Sequence, residues 1–205
     1  MQYRLLRNRK ETSVYSGAFR DFLRAVDAQF KPRLSRRGPG IEGKVQDFIN
    51  AHSIVALNGK AIVGAAVFWP DYKGTKKPYI DFVARRPDMR SRGLGSELLG
   101  RAVTHLQSRG QVPLTVSTYS NNRAALALYE KFGFKVAKVE KNARGPGINR
   151  LHLIRAAAGR PQPKLHVPIR RMPKQQRANA SIGKLRPNIM ASGGKGYAFR
   201  ARRHI

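Results

Sequence analysis

Arg90-Ser91-Arg92-Gly93-Leu94-Gly95-Ser96 is the stretch whose residue types and spacing most plainly permit chemistry. It follows a strand-like run, Tyr79 to Val83, and opens a helix-like one, Glu97 to Ser108. A tight turn with two glycines lets backbone N–H groups converge, and a helix start adds roughly half a positive charge. Such a turn suits a diphosphate. The pattern is R-x-x-G-x-G; neither G-x-G-x-x-G nor G-x-x-x-x-G-K-[ST] occurs in the chain. Taken alone, the segment reads equally well as an ordinary glycine-rich turn. Thiolate chemistry is excluded, because the chain has no cysteine. The five histidines (52, 105, 152, 166 and 204) have no metal-ligand spacing, so no metal site is expected.

The elements that must hold this turn can be read from periodicity. Gln2 to Arg7 reads as a first strand, and Gly17 to Phe30 as a helix with Phe19, Phe22, Leu23, Val26 and Phe30 on one face. A basic link (Arg33 to Gly40) leads to a second helix carrying Val45, Phe48 and Ile49. Ser53 to Leu57 and Lys60 to Trp69 flank Asn58-Gly59, a hairpin signal that requires positive φ at both turn residues. Tyr79 to Arg85 is a third interior strand, and the glycine turn passes it to a helix with Leu98, Leu99, Ala102, Val103 and Leu106 inward. Val112 to Thr118 is another strand, Asn121 and Asn122 cap a helix from Arg123 to Lys131, and Lys135 to Glu140 pairs with Ile148 to Arg155. The predicted fold class is α/β (α+β): a mixed, largely antiparallel sheet of six to seven strands with helices on both faces.

Charge sets the chain apart. Forty-one Lys and Arg against eleven Asp and Glu give a net charge of +30. Residues 157–205 hold twelve of the cations and no acid, with prolines at 161, 163, 168, 173 and 187. Periodicity ends near Ala157, so residues 1–156 read as the folded domain and 157–205 as an extended basic tail. A nucleic acid or nucleoprotein partner is the physical expectation. No apolar run is long enough to span a bilayer, so no membrane partner is expected. A cytoplasmic setting, or one within a nucleoprotein assembly or virus particle, follows as the default. A short mitochondrial presequence in the basic N-terminus is the alternative.

The glycine turn together with Asn122-x-x-Ala125-x-x-Leu128-Tyr129-x-x-x-Gly133-Phe134 resembles the GNAT N-acetyltransferase superfamily. Both of that family's motifs, R/Q-x-x-G-x-G/A and N-x-x-A-x-x-L-Y-x-x-x-G-F, are matched at every fixed position, and the strand order fits to about residue 156. The resemblance implies acetyl-CoA as cofactor, with its diphosphate on the backbone of Arg90, Ser91, Arg92, Gly93, Leu94, Gly95 and Ser96. It implies a pantetheine arm added as a strand beside Val83 to Arg85, and Asn122 hydrogen-bonded near that arm. Tyr129 would aim its hydroxyl at the thioester sulfur. A plain N-cap for Asn122 and a core aromatic for Tyr129 are the bland alternatives. Arg85 departs from the family's usual apolar residue. Either it faces an anionic acceptor, or Val83 takes that place.

Acetyl transfer needs a neutral amine and a proton for the departing thiolate. Tyr129 is the expected acid. Asp81, on the strand feeding the glycine turn, is the candidate base, with a solvent-facing or salt-bridged strand residue as its alternative. Three functions remain open. The first acetylates a primary amine on or near nucleic acid (a protein lysine, a protein N-terminus or aminoacyl-tRNA). The second is a structural or binding component of a nucleoprotein assembly. The third acetylates a small-molecule amine.

Overall fold

The computed structural model describes residues 1–89 and 93–156. Arg90, Ser91, Arg92 and the basic tail from 157 to 205 lie outside the described residues. The order is β1 (Gln2–Leu6), α1 (Arg9–Ser13), α2 (Ser16–Val26), α3 (Gly40–Asn50), β2 (His52–Asn58), β3 (Ala61–Trp69), β4 (Tyr79–Arg85), α4 (Leu94–Gln107), β5 (Leu114–Tyr119), α5 (Arg123–Lys131), β6 (Lys135–Glu140) and β7 (Arg150–Arg155). One seven-stranded sheet forms in the order β1-β2-β3-β4-β5-β7-β6. Every neighbour pair is antiparallel except β4–β5. The expected mixed sheet is therefore what the chain builds.

The sheet separates two cores. Phe19, Phe22, Leu23 and Val26 recur at helical spacing on α2, and with Phe48 of α3 they cover Val55, Val67 and Phe82 on one face. Phe82 meets Phe22, Phe30 and Phe48 with ring centroids 6.3, 5.2 and 5.0 Å away. On the other face Leu94, Leu98, Leu99, Ala102, Val103 and Leu106 of α4 cover Ala66, Phe68 and Ile80. Gly64 sets how close α4 lies. A methyl group there would stand 2.8 Å from Leu98 Cδ1 and 3.1 Å from Leu94 Cδ2.

Four expectations need correction. The helix expected over 17–30 ends at Val26; Asp27–Gln29 tightens into a 3-10 turn and Phe30 is extended, though it still stacks on Phe82. The tight turn is Gly59-Lys60 rather than Asn58-Gly59, since Asn58 pairs with Ala61 and only Gly59 of the two expected turn residues has positive φ, +59°. The strand expected from Val112 starts at Leu114. The short helix α1 was not foreseen, although Asn8 caps it and Glu11 reaches back over its start: Glu11 N–H donates to Asn8 Oδ1 at 2.9 Å, and Arg7 N–H donates to Glu11 Oε2 at 2.9 Å.

Candidate active site

β4 and β5 make a fork. Their parallel ladder consists of Tyr79↔Thr115 and Ile80↔Val116. Beyond it β4 stays paired with β3 as far as Arg85, while β5 turns to β7. From Asp81 to Arg85 the β5-side edge of β4 thus has no strand partner, and such an edge accepts an extended chain by adding backbone hydrogen bonds.

The fork opens toward the start of α4. Gly93 is the N-cap with φ +66°, a left-handed conformation that glycine adopts without penalty, and no side chain among the described residues caps the helix. The N–H of Glu97 is the first to bond back, to the Gly93 carbonyl at 3.0 Å. The N–H groups of Leu94, Gly95 and Ser96 have no helical acceptor among the described residues, at the positive end of a 14-residue helix. Leu94 also anchors this end in the core, 2% exposed. A cavity of about 760 Å³ runs from Gly93 and Ser96 along α4 to His105, with Tyr3 and Phe132 on its walls, and the fork residues do not line it.

Beneath the fork, α5 ends in a Schellman motif that fixes Tyr129. The Gly133 N–H donates to the Glu130 carbonyl at 2.9 Å and the Phe134 N–H to the Tyr129 carbonyl at 3.1 Å, with Gly133 at φ +75°. Phe134 then packs edge-on against Tyr129, centroids 5.8 Å apart. The G-F step of the motif is thus the helix stop that sets the tyrosine. Tyr129 is 6% exposed, and burial, with Tyr79 and Asp81 adding, pushes its hydroxyl well above the ordinary phenol range. That hydroxyl remains protonated at physiological pH. At the other end of α5, Asn122 Oδ1 accepts from the Ala125 N–H at 3.2 Å, the plain N-cap geometry, which leaves the side-chain NH₂ as its remaining donor.

The two faces of β4 divide the remaining candidates. Phe68 opposes Ile80 and Val67 opposes Phe82, so Asp81 is an extra residue in β4, a bulge. Asp81 accordingly shares the α3 face with Phe82, and its Oδ2 accepts from Lys44 Nζ at 2.6 Å. It is the salt-bridged strand residue, with Oδ1 left uncommitted among the described residues. Val83 packs on the α4 face, and Arg85, opposite Gly64, shares it. Arg85 Nη1 is buried without a partner among the described residues, on the side of the open helix start. An unpaired guanidinium N–H beside free helical amides suits a phosphate better than an acceptor on the opposite face. This donor set fits acetyl-CoA.

Periodicity did not reveal one group. Ser117, the first β5 residue past the fork, lies opposite His152 of β7, and Glu140 of β6 lies beyond. Ser117 Oγ is 3.0 Å from His152 Nδ1, and His152 Nε2 is 2.8 Å from Glu140 Oε1. The His152 hydrogen bond holds the Glu140 carboxyl below its ordinary range. Tyr79 stands on this face too, its hydroxyl pushed up by burial with Ser117 beside it acting the other way. These residues sit on four strands, so only the pairing brings them together.

Residues 20–134 match the family model described as Acetyltransferase (GNAT) family. The [Ribosomal protein bS18]-alanine N-acetyltransferase of Salmonella typhimurium is 42% identical over 60 residues, covering 29% of this chain and 40% of that protein. N-alpha-acetyltransferase 30 of Schizosaccharomyces pombe is 30% identical over 84 residues, covering 40% and 56%. The chain therefore matches only 40% and 56% of these relatives' length. The solved aminoglycoside 6'-acetyltransferase type Ii superposes with a TM-score of 0.63 at 20% identity, over 78% of this chain and 100% of that one. With its forked sheet, open helix start and motif-bearing α5, the chain belongs to the GNAT family of acetyltransferases, whose acetyl donor is acetyl-CoA.

Proposed function

We propose that this chain transfers an acetyl group from acetyl-CoA to the α-amino group of a protein acceptor held on or near nucleic acid. The observation that carries the reading is the fork, where an unpaired strand edge, free helical amides and a buried tyrosine hydroxyl converge. Acetyl-CoA supplies an acyl group already activated as a thioester. The N–H groups of Leu94, Gly95 and Ser96 would hold its diphosphate, with Arg85 Nη1 adding a charged donor; Arg90, Ser91 and Arg92 belong to the same turn by sequence. The Asp81–Arg85 edge and the Asn122 side-chain NH₂ would hold the extended arm.

Two proton positions follow. Tyr129 Oη retains its proton and is the donor to the departing sulfur. For the amine, the base role first considered for Asp81 passes to the Ser117–His152–Glu140 chain, since Lys44 already engages Asp81. In the matching tautomer Ser117 Oγ–H donates to His152 Nδ1 and His152 Nε2–H donates to Glu140. A proton taken at Ser117 Oγ displaces the serine's own proton to Nδ1, leaving an imidazolium against the Glu140 carboxylate.

The amine class follows from magnitudes. A lysine amine, with an ordinary pKa of about 10.4, costs about 4.6 kcal/mol to deprotonate at pH 7, whereas an α-amine near 7.8 costs only about 1 kcal/mol. A partly exposed Ser–His relay suits the second. Relatives named [Ribosomal protein bS18]-alanine N-acetyltransferase and N-alpha-acetyltransferase 30 support the same choice. The acid-free tail is the part we assign to nucleic acid or nucleoprotein. The test is thiol release from acetyl-CoA against free-amine peptides, N-blocked lysine peptides, aminoacyl-tRNA and polyamines. Turnover confined to polyamines or other small amines overturns this reading.

A further inference from the structure

Two arginines meet one tyrosine beside this relay, and a third stands close to them. The Arg144 guanidinium, on the β6–β7 turn, lies 3.6 Å from the Tyr119 ring centroid, and that of Arg150 lies 5.6 Å from it. Arg150 Nη2 also donates to the Tyr119 hydroxyl at 3.0 Å. Arg144 Nη1 donates to the Lys31 carbonyl, which ties the β6–β7 turn to the segment between α2 and α3. On that segment Arg37 Nε donates to the Pro32 carbonyl at 3.0 Å.

The cluster lacks matching negative charge. Glu140, the nearby carboxylate, serves Arg150, His152 and Lys138. Asp27 is taken by the Ser35 backbone and hydroxyl, each at 2.8 Å. Arg37 and Arg144 have no carboxylate within ion-pair distance among the described residues. Burial, and then the Arg144 charge, hold Arg37 below its ordinary value. Burial pushes the Tyr119 hydroxyl up, yet the Arg150 hydrogen bond and the charges of Arg144, Arg150 and Arg37 bring it below the ordinary phenol value. Three like charges with a single shared carboxylate between them mark a place where a further anion would be stabilised.

Position says whose anion. Tyr119 is two residues past Ser117 on the same face of β5, and Arg150 two residues from His152 on β7. Same-face neighbours on a strand are about 7 Å apart, which is also the length of about two extended peptide residues. An acceptor whose α-amine lies at Ser117 therefore brings its second or third side chain to the arginines.

We propose that Arg37, Arg144 and Arg150 form a carboxylate-binding subsite that selects acceptor chains bearing Asp or Glu at the second or third residue. This rests on the acetyl-transfer reading above, and the test separates the two. Peptides beginning Ser-Asp, Ser-Glu, Ser-Ala and Ser-Lys, otherwise identical, are compared by kcat/KM for thiol release. They are also compared by fluorescence anisotropy on full-length protein saturated with coenzyme A. Acidic peptides are expected to lead by roughly 10-fold or more in both assays, with the lead shrinking toward unity in about 500 mM salt. The double variant Arg37→Glu/Arg144→Glu is expected to reverse the order toward Ser-Lys, and Arg37→Gln/Arg144→Gln to flatten it. Equal treatment of the four peptides overturns the subsite, and so does a preference that the double variants leave intact. Binding preference without any acetylation upholds the subsite and overturns the transfer reading instead. A short RNA that displaces the acidic peptide from the native protein, but not from the Gln variant, overturns the peptide assignment in favour of a phosphate.

Discussion

Replacing Tyr129 by Phe removes one oxygen and nothing else, and two measurements should then move apart. The ring keeps its edge-on contact with Phe134 at 5.8 Å and the Schellman turn is untouched. The hydroxyl has no hydrogen-bond partner among the described residues, on a side chain only 6% exposed. No hydrogen bond among the described residues is lost with it, so stability should change by no more than about 1 kcal/mol. For a domain of this size that is a shift in Tm of no more than about 4 °C. Catalysis should respond far more. A positioned general acid contributes about 10²–10⁴-fold, but a thiol leaves readily and needs less help, so the effect can sit below that range: kcat should fall at least about ten-fold, or about 1.4 kcal/mol of barrier. Because burial raises the phenol, its protonated form persists as pH rises, and the wild-type kcat should show no alkaline loss from this group up to about pH 10. Thiol release at saturating acetyl-CoA, calorimetric binding of the donor and thermal melts provide the three readouts. An unchanged kcat refutes the proton-donor role. A lower kcat accompanied by a lower Tm and weaker donor binding would instead make Tyr129 a packing residue.

Other positions test the architecture. Gly64→Ala gains about 0.5–1 kcal/mol in strand propensity but presses a methyl 2.8 Å from Leu98 Cδ1 in a filled core; overpacking of about 1–3 kcal/mol should win, lowering Tm and raising KM for acetyl-CoA as the start of α4 is displaced. Adding Leu98→Ala should recover part of the KM. Gly133→Ala, at φ +75°, should cost about 1 kcal/mol by chemical denaturation and lower kcat by loosening Tyr129. His52 has its proton affinity lowered by burial and then by His105 and Arg109, so the folded state binds fewer protons than the unfolded one below the ordinary value of 6.5. Stability should hold above that pH and fall as pH drops from about 7 toward 5, by a few degrees in Tm, and His52→Leu should flatten the profile. Removing 157–205 should weaken RNA or DNA binding and reduce its salt slope, which for B-DNA is about −0.9 per phosphate contacted. A full-length protein whose binding ignores salt would refute the tail's assignment.

What the chain discloses before folding depends on whether the signal is local. The Gly93 cap and the Asn122 to Phe134 motif are contiguous, and each residue does its work within one turn of its neighbours, so both were legible. The amphipathic faces of α2 and α4 were legible for the same reason. Asn58-Gly59 misled because glycine alone can supply the positive φ, which let the turn slide one residue along. The Asp81 bulge was hidden, since period-two alternation cannot show an inserted residue, and with it went the knowledge that Asp81 faces Lys44 rather than Tyr129's side. The Ser117–His152–Glu140 chain was least accessible. It needs β7 to lie between β5 and β6, and no residue in any of those strands announces that order.

The two ladder steps at Tyr79 and Ile80 are also a seam between the two portions of the polypeptide. Everything from β1 to β4 is knitted by long antiparallel ladders, as is β5 with β7 and β6, but little backbone bonding stitches one portion to the other. A break in the connection around Gly110 would therefore part the molecule along its own weakest line. Two co-expressed fragments should find each other through α4 and the apolar faces of β5 and α5, making this fold a candidate for split-reporter reconstitution gated by its own donor.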